Sequence, residues 1–376
     1  MKKKILITST ELMMIQFLAP HIMHLSENGI SIDIACSNVG GRIEEVKKEL
    51  SAFTENIFVV NLHRSPVMPD NAKGYRQLKK IIDSNRYDLI WTNEPVMGVT
   101  TRLAAKQPRK NGTKVLYICH GFHFFNGAPT INWKLYYPIE KKMAEYCDVI
   151  ATINKEDFSA AKQFKAEGVA YIHGIGINTD RLQAENIQKD IRKELGIKDD
   201  EFVIVSVGEL NENKNQQAII RAMGQLQEPN THYILCGKGE TLGALQALAR
   251  ECKVSDNVHF LGYRKDVISI LSKADVFAFP TIREGLGLAA LEAMYCGLPL
   301  ITSDARGPVD YMENGTTGYI CKSDDIDAFA KAISDLKGNR ELRLKMAENN
   351  REIVKPFCID NVKEEVFALL AGMLKE

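Results

Sequence analysis

The firmest constraint on this chain is its rhythm: short β-branched or apolar runs alternate with helix-period segments from end to end, and the series restarts at mid-length. Lys4–Ser9, Ser31–Ala35, Ile57–Val60, Asp88–Thr92, Lys114–Cys119 and Asp148–Ile153 read as strands. Leu12–Asn28, Ile43–Ala52, Tyr75–Ser84 and Trp133–Tyr146 carry helical spacing between them. Strands interleaved with helices in this way imply right-handed βαβ units and parallel sheets. A second set follows at Phe202–Val207, His232–Cys236, Val258–Phe260, Val276–Phe279 and Leu300–Thr302. At about 150 residues per domain, 376 residues make two. Gly174, Gly176 and Asn178 mark a linker near 174–186. The expectation is an α/β protein of two facing Rossmann-like, doubly wound domains, 1–178 and 179–357. Ligands then bind in the cleft at the carboxyl ends of the strands. Pro356 interrupts the last helical pattern, so the helix of 358–376 is expected to pack back on the first domain.

Charge and composition narrow the class of partner. The chain holds 48 Lys+Arg and 48 Asp+Glu, which argues against a nucleic-acid binder. Residues 1–180 carry 23 basic and 18 acidic side chains, a +5 balance that suits an anionic partner, and the remainder carries 25 and 30. No run reaches the roughly 18 apolar residues of a membrane span. Lys2-Lys3-Lys4 precedes only three apolar residues, which fits a first strand and not a signal peptide. The eight cysteines show no C-x-x-C spacing and read as buried thiols in a reducing cytoplasm. Asp325-Ile326-Asp327 opens a helical pattern, where acids cap, so no metal site is expected.

The most informative stretch runs from Ala278 to Pro299. A strand ends at Phe279, a loop holds Glu284-Gly285-Leu286-Gly287, and a helix opens at Leu288 that Gly297 and Pro299 stop. Free amides at a helix start, with glycines permitting close approach, form a cradle suited to a diphosphate. Glu284 precedes those amides and Glu292 lies about one and a half turns inside the helix. The two carboxylates can therefore meet different hydroxyls of one elongated ligand.

This stretch resembles the signature of family 4 glycosyltransferases, retaining enzymes of the two-domain GT-B fold. Val207-Gly208-Glu209-Leu210…Lys214, Cys236-Gly237-Lys238-Gly239 and Phe260-Leu261-Gly262-Tyr263-Arg264-Lys265-Asp266 resemble further segments of that family. His120 through Trp133, Tyr136 through Glu140, and Thr152-Ile153-Asn154-Lys155-Glu156-Asp157 resemble a subgroup that assembles bacterial capsule and exopolysaccharide. The resemblance implies that Glu284 holds the donor sugar, Glu292 the ribose, and Lys214 the diphosphate. It implies that Gly208, Glu209, Gly285, Leu286, Gly287 and Leu288 line the phosphates, and that Tyr263 and Arg264 line the base largely through backbone atoms. His120 would reach the donor sugar from the first domain. With Lys214 and the helix dipole present, no metal or other cofactor is expected. Two departures stand out: Glu209 occupies a place where the family often has arginine, and Ser9-Thr10-Glu11 replaces a Gly-Gly turn, the nearest pair being Gly40-Gly41.

Phe122, Phe124, Phe125 and Trp133, close to Lys134, Lys141 and Lys142, suggest an aromatic and cationic patch for a polyprenyl-diphosphate acceptor and an anionic membrane surface. Core packing under a loop is the other reading of those aromatics. The resemblance implies transfer of a sugar, an N-acetylated hexose, from a UDP-sugar to a lipid-linked saccharide, at the inner face of the cell membrane. The same chemistry on a soluble acceptor, or an inactive partner subunit, are the alternatives.

Overall fold

The computed structural model describes residues 2–39, 43–184 and 190–375. The Gly40-Gly41 pair and the far end of the expected linker lie outside the described residues. Contacts divide the chain into two compact units, Met1–Gly176 with Ile359–Glu376, and Ile177–Cys358.

The first unit is built on seven parallel strands: β1 (Lys4–Glu11), β2 (Ser31–Val39), β3 (Asn56–Val59), β4 (Leu89–Asn93), β5 (Lys114–Cys119), β6 (Val149–Thr152) and β7 (Gly168–Tyr171). Their order across the sheet is β3-β2-β1-β4-β5-β6-β7. The central strands are covered on both faces, so β4 is buried along its whole length. Leu6, Ile90, Val115, Tyr117 and Ile150 anchor one core of this unit.

The second unit holds β8 (Phe202–Val207), β9 (Thr231–Cys236), β10 (Val258–Gly262), β11 (Val276–Phe279), β12 (Leu300–Ser303) and β13 (Gly318–Cys321). All pair in parallel, in the order β10-β9-β8-β11-β12-β13. Two strands escape the sequence reading, β7 and β13. Each is a four-residue edge strand opened by a glycine, too short to show a period and partly exposed.

Helix Arg340–Ile353 gives way to one 3₁₀ turn, Lys355–Phe357, that contains Pro356 at its start. The closing helix, Ile359–Lys375, buries Ile359, Val362, Val366, Leu370 and Met373 along one stripe. It lies on helix Leu12–Glu27 of the first unit, where His24 Nε2 sits 3.3 Å from Glu364 Oε1 and the His24 ring meets Phe367 edge-on. Glu365 accepts a hydrogen bond from the His173 backbone N–H at 2.9 Å. Burial pushes the thiols of Cys36 and Cys236 up to about 12, which keeps them inert. Among the described residues no helix is long and apolar enough to cross a membrane.

Candidate active site

In the second unit the chain leaves β8 toward β9 and β10 on one side, then returns to β11, β12 and β13 on the other. The loops after the neighbouring strands β8 and β11 therefore part around a crevice, the topological switch point where open α/β sheets bind ligands. These two loops are stitched together. After β8, Asn211 Oδ1 accepts from the Lys214 backbone N–H at 3.0 Å, closing a 3₁₀ turn over Glu212–Lys214. Asn213 accepts from Ile282 N–H through its carbonyl at 2.7 Å, and its Nδ2 donates to the Arg283 carbonyl at 2.9 Å. Asn215 Nδ2 donates to the carbonyls of Pro280 (3.1 Å) and Ser323 (2.8 Å). This lattice brings Lys214 Nζ to 2.5 Å from Glu284 Oε2 and 4.8 Å from the centre of the Phe279 ring.

Helix Leu288–Tyr295 begins beside that pair. Gly287 precedes it at φ +89°, and a Cβ there would lie 2.8 Å from Phe279 Cε1, so glycine is required for both conformation and space. Tyr311 donates its hydroxyl proton to the Leu286 carbonyl at 2.9 Å and holds the turn from below. Gly285 N–H lies 3.2 Å from Glu284 Oε1. Glu292 projects from the helix about one turn beyond its first residue, paired with Arg181. Gly208 leaves β8 at φ +149° with the Lys214 stem 3.8 Å from where its Cβ would be. Glu209 is exposed and accepts from Asn211 Nδ2 at 3.0 Å.

Tyr263 is 70% exposed after β10. The Arg264 guanidinium is clamped between Glu194 (2.7 and 3.0 Å) and Asp266 (2.8 Å), and those hydrogen bonds raise its already high pKa further. Asp325 caps helix Ile326–Gly338 through the Ala328 N–H at 2.9 Å, and Asp327 accepts from Gln225 at 3.0 Å. Among the described residues no three His, Cys, Asp or Glu side chains gather as a cation cage.

The first unit has its own switch point, between β1 and β4. His120 follows β5, and its Nε2 lies 3.0 Å from Asn93 Oδ1 at the end of β4. Trp91 Nε1 donates to the same oxygen at 3.1 Å, while Asn93 Nδ2 donates to the Thr8 carbonyl at 3.2 Å. An indole nitrogen can only donate, so that atom of Asn93 is fixed as an acceptor and His120 Nε2 must carry the proton. His120 Nδ1 is left as a lone-pair acceptor. Burial lowers the His120 pKa to about 4, so the ring is neutral at neutral pH. Neither Asn93 nor Glu94 stood out in the sequence. The sole local signal is Asn-Glu-Pro at a strand end.

The aromatic patch is corrected by the structure. Phe122 and Phe124 are buried, stacked on each other at 4.7 Å and packed against Phe164, so they are core and not surface. Trp133 is 39% exposed, and its Nε1 donates to the Phe125 carbonyl at 3.3 Å. The exposed apolar groups lie next door, on helix Thr130–Met143. Ile131, Leu135 and Ile139, four residues apart, form an outward stripe flanked by Lys134 and Lys141. The residue this helix buries is Glu140, paired at 2.8 Å with Arg102, which itself lies over the Tyr117 ring. An internal ion pair therefore ties the helix down while its aliphatic side chains face out.

Two doubly wound parallel sheets, each with polar groups gathered at its switch point, define the GT-B class of nucleotide-sugar enzymes. Residues 21–181 match the family described as Glycosyltransferase Family 4, and residues 187–353 match Glycosyl transferases group 1. The chain is 40% identical over 320 residues to glycosyltransferase EpsD of Bacillus subtilis (strain 168), covering 84% of each. It is 26% identical over 354 residues to the Escherichia coli UDP-Gal:alpha-D-GlcNAc-diphosphoundecaprenol alpha-1,3-galactosyltransferase, covering 90% of this chain and 89% of that one. Among solved structures, HepE of Anabaena in complex with UDP and glucose superposes with a TM-score of 0.77 at 19% identity, over 98% of this chain and 100% of that one. The chain belongs to family 4 of the glycosyltransferases and has the GT-B fold.

Proposed function

We propose that this glycosyltransferase moves a sugar, an N-acetylated hexose, from a UDP-sugar to a polyprenyl-diphosphate-linked saccharide in capsule or exopolysaccharide assembly, with retained anomeric configuration and without a metal. The observation that carries the reading is the Lys214–Glu284 pair at the switch point of the six-stranded sheet, beside the start of helix Leu288–Tyr295. The names of relatives support a UDP-sugar donor, a lipid-linked acceptor and the pathway, though not the N-acetyl group: UDP-galactose and a diphosphoundecaprenol-linked acceptor in the E. coli enzyme, and capsular polysaccharide biosynthesis for CapM of Staphylococcus aureus, 28% identical over 247 residues.

In this reading donor binding is an exchange of partners. Lys214 leaves Glu284 for the diphosphate, and Glu284 turns to the sugar hydroxyls. Glu292 likewise gives up Arg181 for the ribose diol. Lys214 and the amides around Gly285–Gly287 then stabilise the charge that builds on the leaving diphosphate, the work a divalent ion does elsewhere. The bond from the anomeric carbon to the phosphate oxygen breaks as the acceptor oxygen bonds to the same face. The acceptor's proton passes to the departing phosphate, so no protein nucleophile is required. The outward stripe Ile131, Leu135 and Ile139 with Lys134 and Lys141 suits the surface from which a lipid-linked acceptor arrives.

The test is release of UDP from UDP-galactose, UDP-glucose and UDP-N-acetylglucosamine in EDTA, with and without a short-chain polyprenyl-diphosphate N-acetylglucosamine. Lipid-stimulated release from one donor that Glu284→Ala reduces by about 100-fold or more is expected, the loss typical of removing a transition-state contact. Release indifferent to Glu284→Ala would sink the site, and release indifferent to lipid would point to a soluble acceptor.

A further inference from the structure

At the switch point of the first unit stands a second carboxylate, Glu94, that no feature of the sequence singles out. It follows β4 directly, at φ 64° and ψ 154°. That combination is populated almost only by glycine, and the following Pro95 narrows the choices further. A side chain held there costs on the order of 1–3 kcal/mol. What holds it is visible. Oε2 accepts from Ser9 Oγ at 2.6 Å, from Thr10 N–H at 2.6 Å and from Glu11 N–H at 3.3 Å. The carboxylate thus occupies the amides of the turn after β1, the turn that carries Ser9-Thr10-Glu11 and no glycine pair. One oxygen would suffice for that bracing. The other, Oε1, makes no hydrogen bond among the described residues and is not sealed from solvent.

Its neighbourhood says what Oε1 can receive. Asn93, one residue before, holds the His120 ring so that Nδ1 presents a lone pair. Two acceptors, one anionic and one neutral, therefore stand at the ends of the neighbouring strands β4 and β5. The nearby Arg64 guanidinium is already paired with Glu11. Among the described residues the guanidinium that reaches this turn is thus already neutralised, and acceptors of this kind favour a neutral ligand rich in O–H donors, a saccharide, over phosphate.

We infer that Glu94 Oε1, at the end of β4, together with His120 Nδ1, at the end of the neighbouring β5, is a sugar-hydroxyl subsite of the first unit, distinct from the carboxylates Glu284 and Glu292 of the second. The inference rests on the proposed transfer reaction. The sugar it grips belongs either to the acceptor saccharide or to the donor, and the chemistry is the same for both.

Glu94→Gln separates gripping from bracing. The amide oxygen can still accept from Ser9, Thr10 and Glu11, while the outer atom changes from acceptor to donor. The variant is expected to melt with the wild type and to bind UDP equally well by titration calorimetry, yet to lose about 10- to 100-fold in kcat/KM for transfer, the scale of one charge-assisted hydrogen bond. Monodeoxy analogues of the active UDP-sugar and of the polyprenyl-diphosphate N-acetylglucosamine identify the partner. One analogue should lose as much in the wild type as the variant does, and lose nothing further in the variant. Its position names the source, donor or acceptor. Wild-type kcat/KM in Glu94→Gln, or full additivity with every analogue, would overturn the subsite and leave Glu94 a brace. Failure of the wild type to transfer to any acceptor would remove the subsite together with the function it rests on, and that failure is recognised by its appearance in the unmodified protein.

Discussion

Buried imidazoles give individual residues a measurable voice in stability. Burial lowers both His21 and His120 to about 4. The unfolded chain takes up those protons near pH 6.5, so between pH 6.5 and 4 it binds more protons than the folded protein, and stability falls as pH drops through that window. Replacing His120 by glutamine should flatten the slope by about one proton and recover up to roughly 3 kcal/mol at pH 4, read from urea titrations at a series of pH values. Slopes identical to wild type would contradict a His120 ring held neutral by burial. Gly287→Ala carries a different expectation. Its positive φ and the 2.8 Å approach to Phe279 should cost about 1–3 kcal/mol and weaken UDP binding together, seen as a lower melting temperature and a raised Kd. Glu284, Glu292 and Lys214 were legible in the sequence because each sits in a contiguous strand–loop–helix pattern. Their current partners were not, since Arg181 meets Glu292 across 111 residues and Lys214 meets Glu284 across 70. Only folding reports such pairs.

Helix Thr130–Met143 shows the same limit one level up. Counting aromatics located a surface on this segment but chose the wrong side chains, because burial here follows Arg102–Glu140 and the Phe122–Phe124 stack and not hydrophobic spacing. Glu140→Ala leaves Arg102 charged and fully enclosed, and should destabilise the protein by about 3–5 kcal/mol in urea unfolding. A paired Arg102→Met, Glu140→Leu replacement should restore most of it, since a packed apolar pair needs no counter-ion. The outer stripe behaves oppositely. Leu135→Glu and Ile139→Glu together should leave the melting temperature nearly unchanged, being surface changes, while reducing sedimentation with phosphatidylglycerol vesicles. Vesicle binding untouched by that pair would deny the stripe its part in acceptor delivery. Strand positions were read well wherever a strand is central, since enclosure on both faces writes a continuous apolar run. Edge strands β7 and β13 leave no such trace.

At the scale of the molecule, the rhythm of strands and helices predicted two doubly wound sheets, and two are present. The crossover points belong to the chain path: it leaves the first unit between Gly176 and Ile177 and re-enters between Cys358 and Ile359. Ile177 N–H donates to the Phe357 carbonyl at 2.9 Å, so the outgoing and returning strands of backbone run side by side. Removing Ile359–Glu376 should uncover helix Leu12–Glu27. Hydrogen exchange should then accelerate in that helix and leave β8 and β9 protected. Equal exchange in both forms would mean that the last helix stabilises nothing in the first unit. The same path sets a schedule on the ribosome. The domain whose sheet is made first is finished last, because its closing helix emerges only after the entire second domain has been translated. At about 5–20 residues per second, that leaves the apolar face of Leu12–Glu27 bare for roughly 10–40 s, a window in which a nascent chain needs shielding by a chaperone.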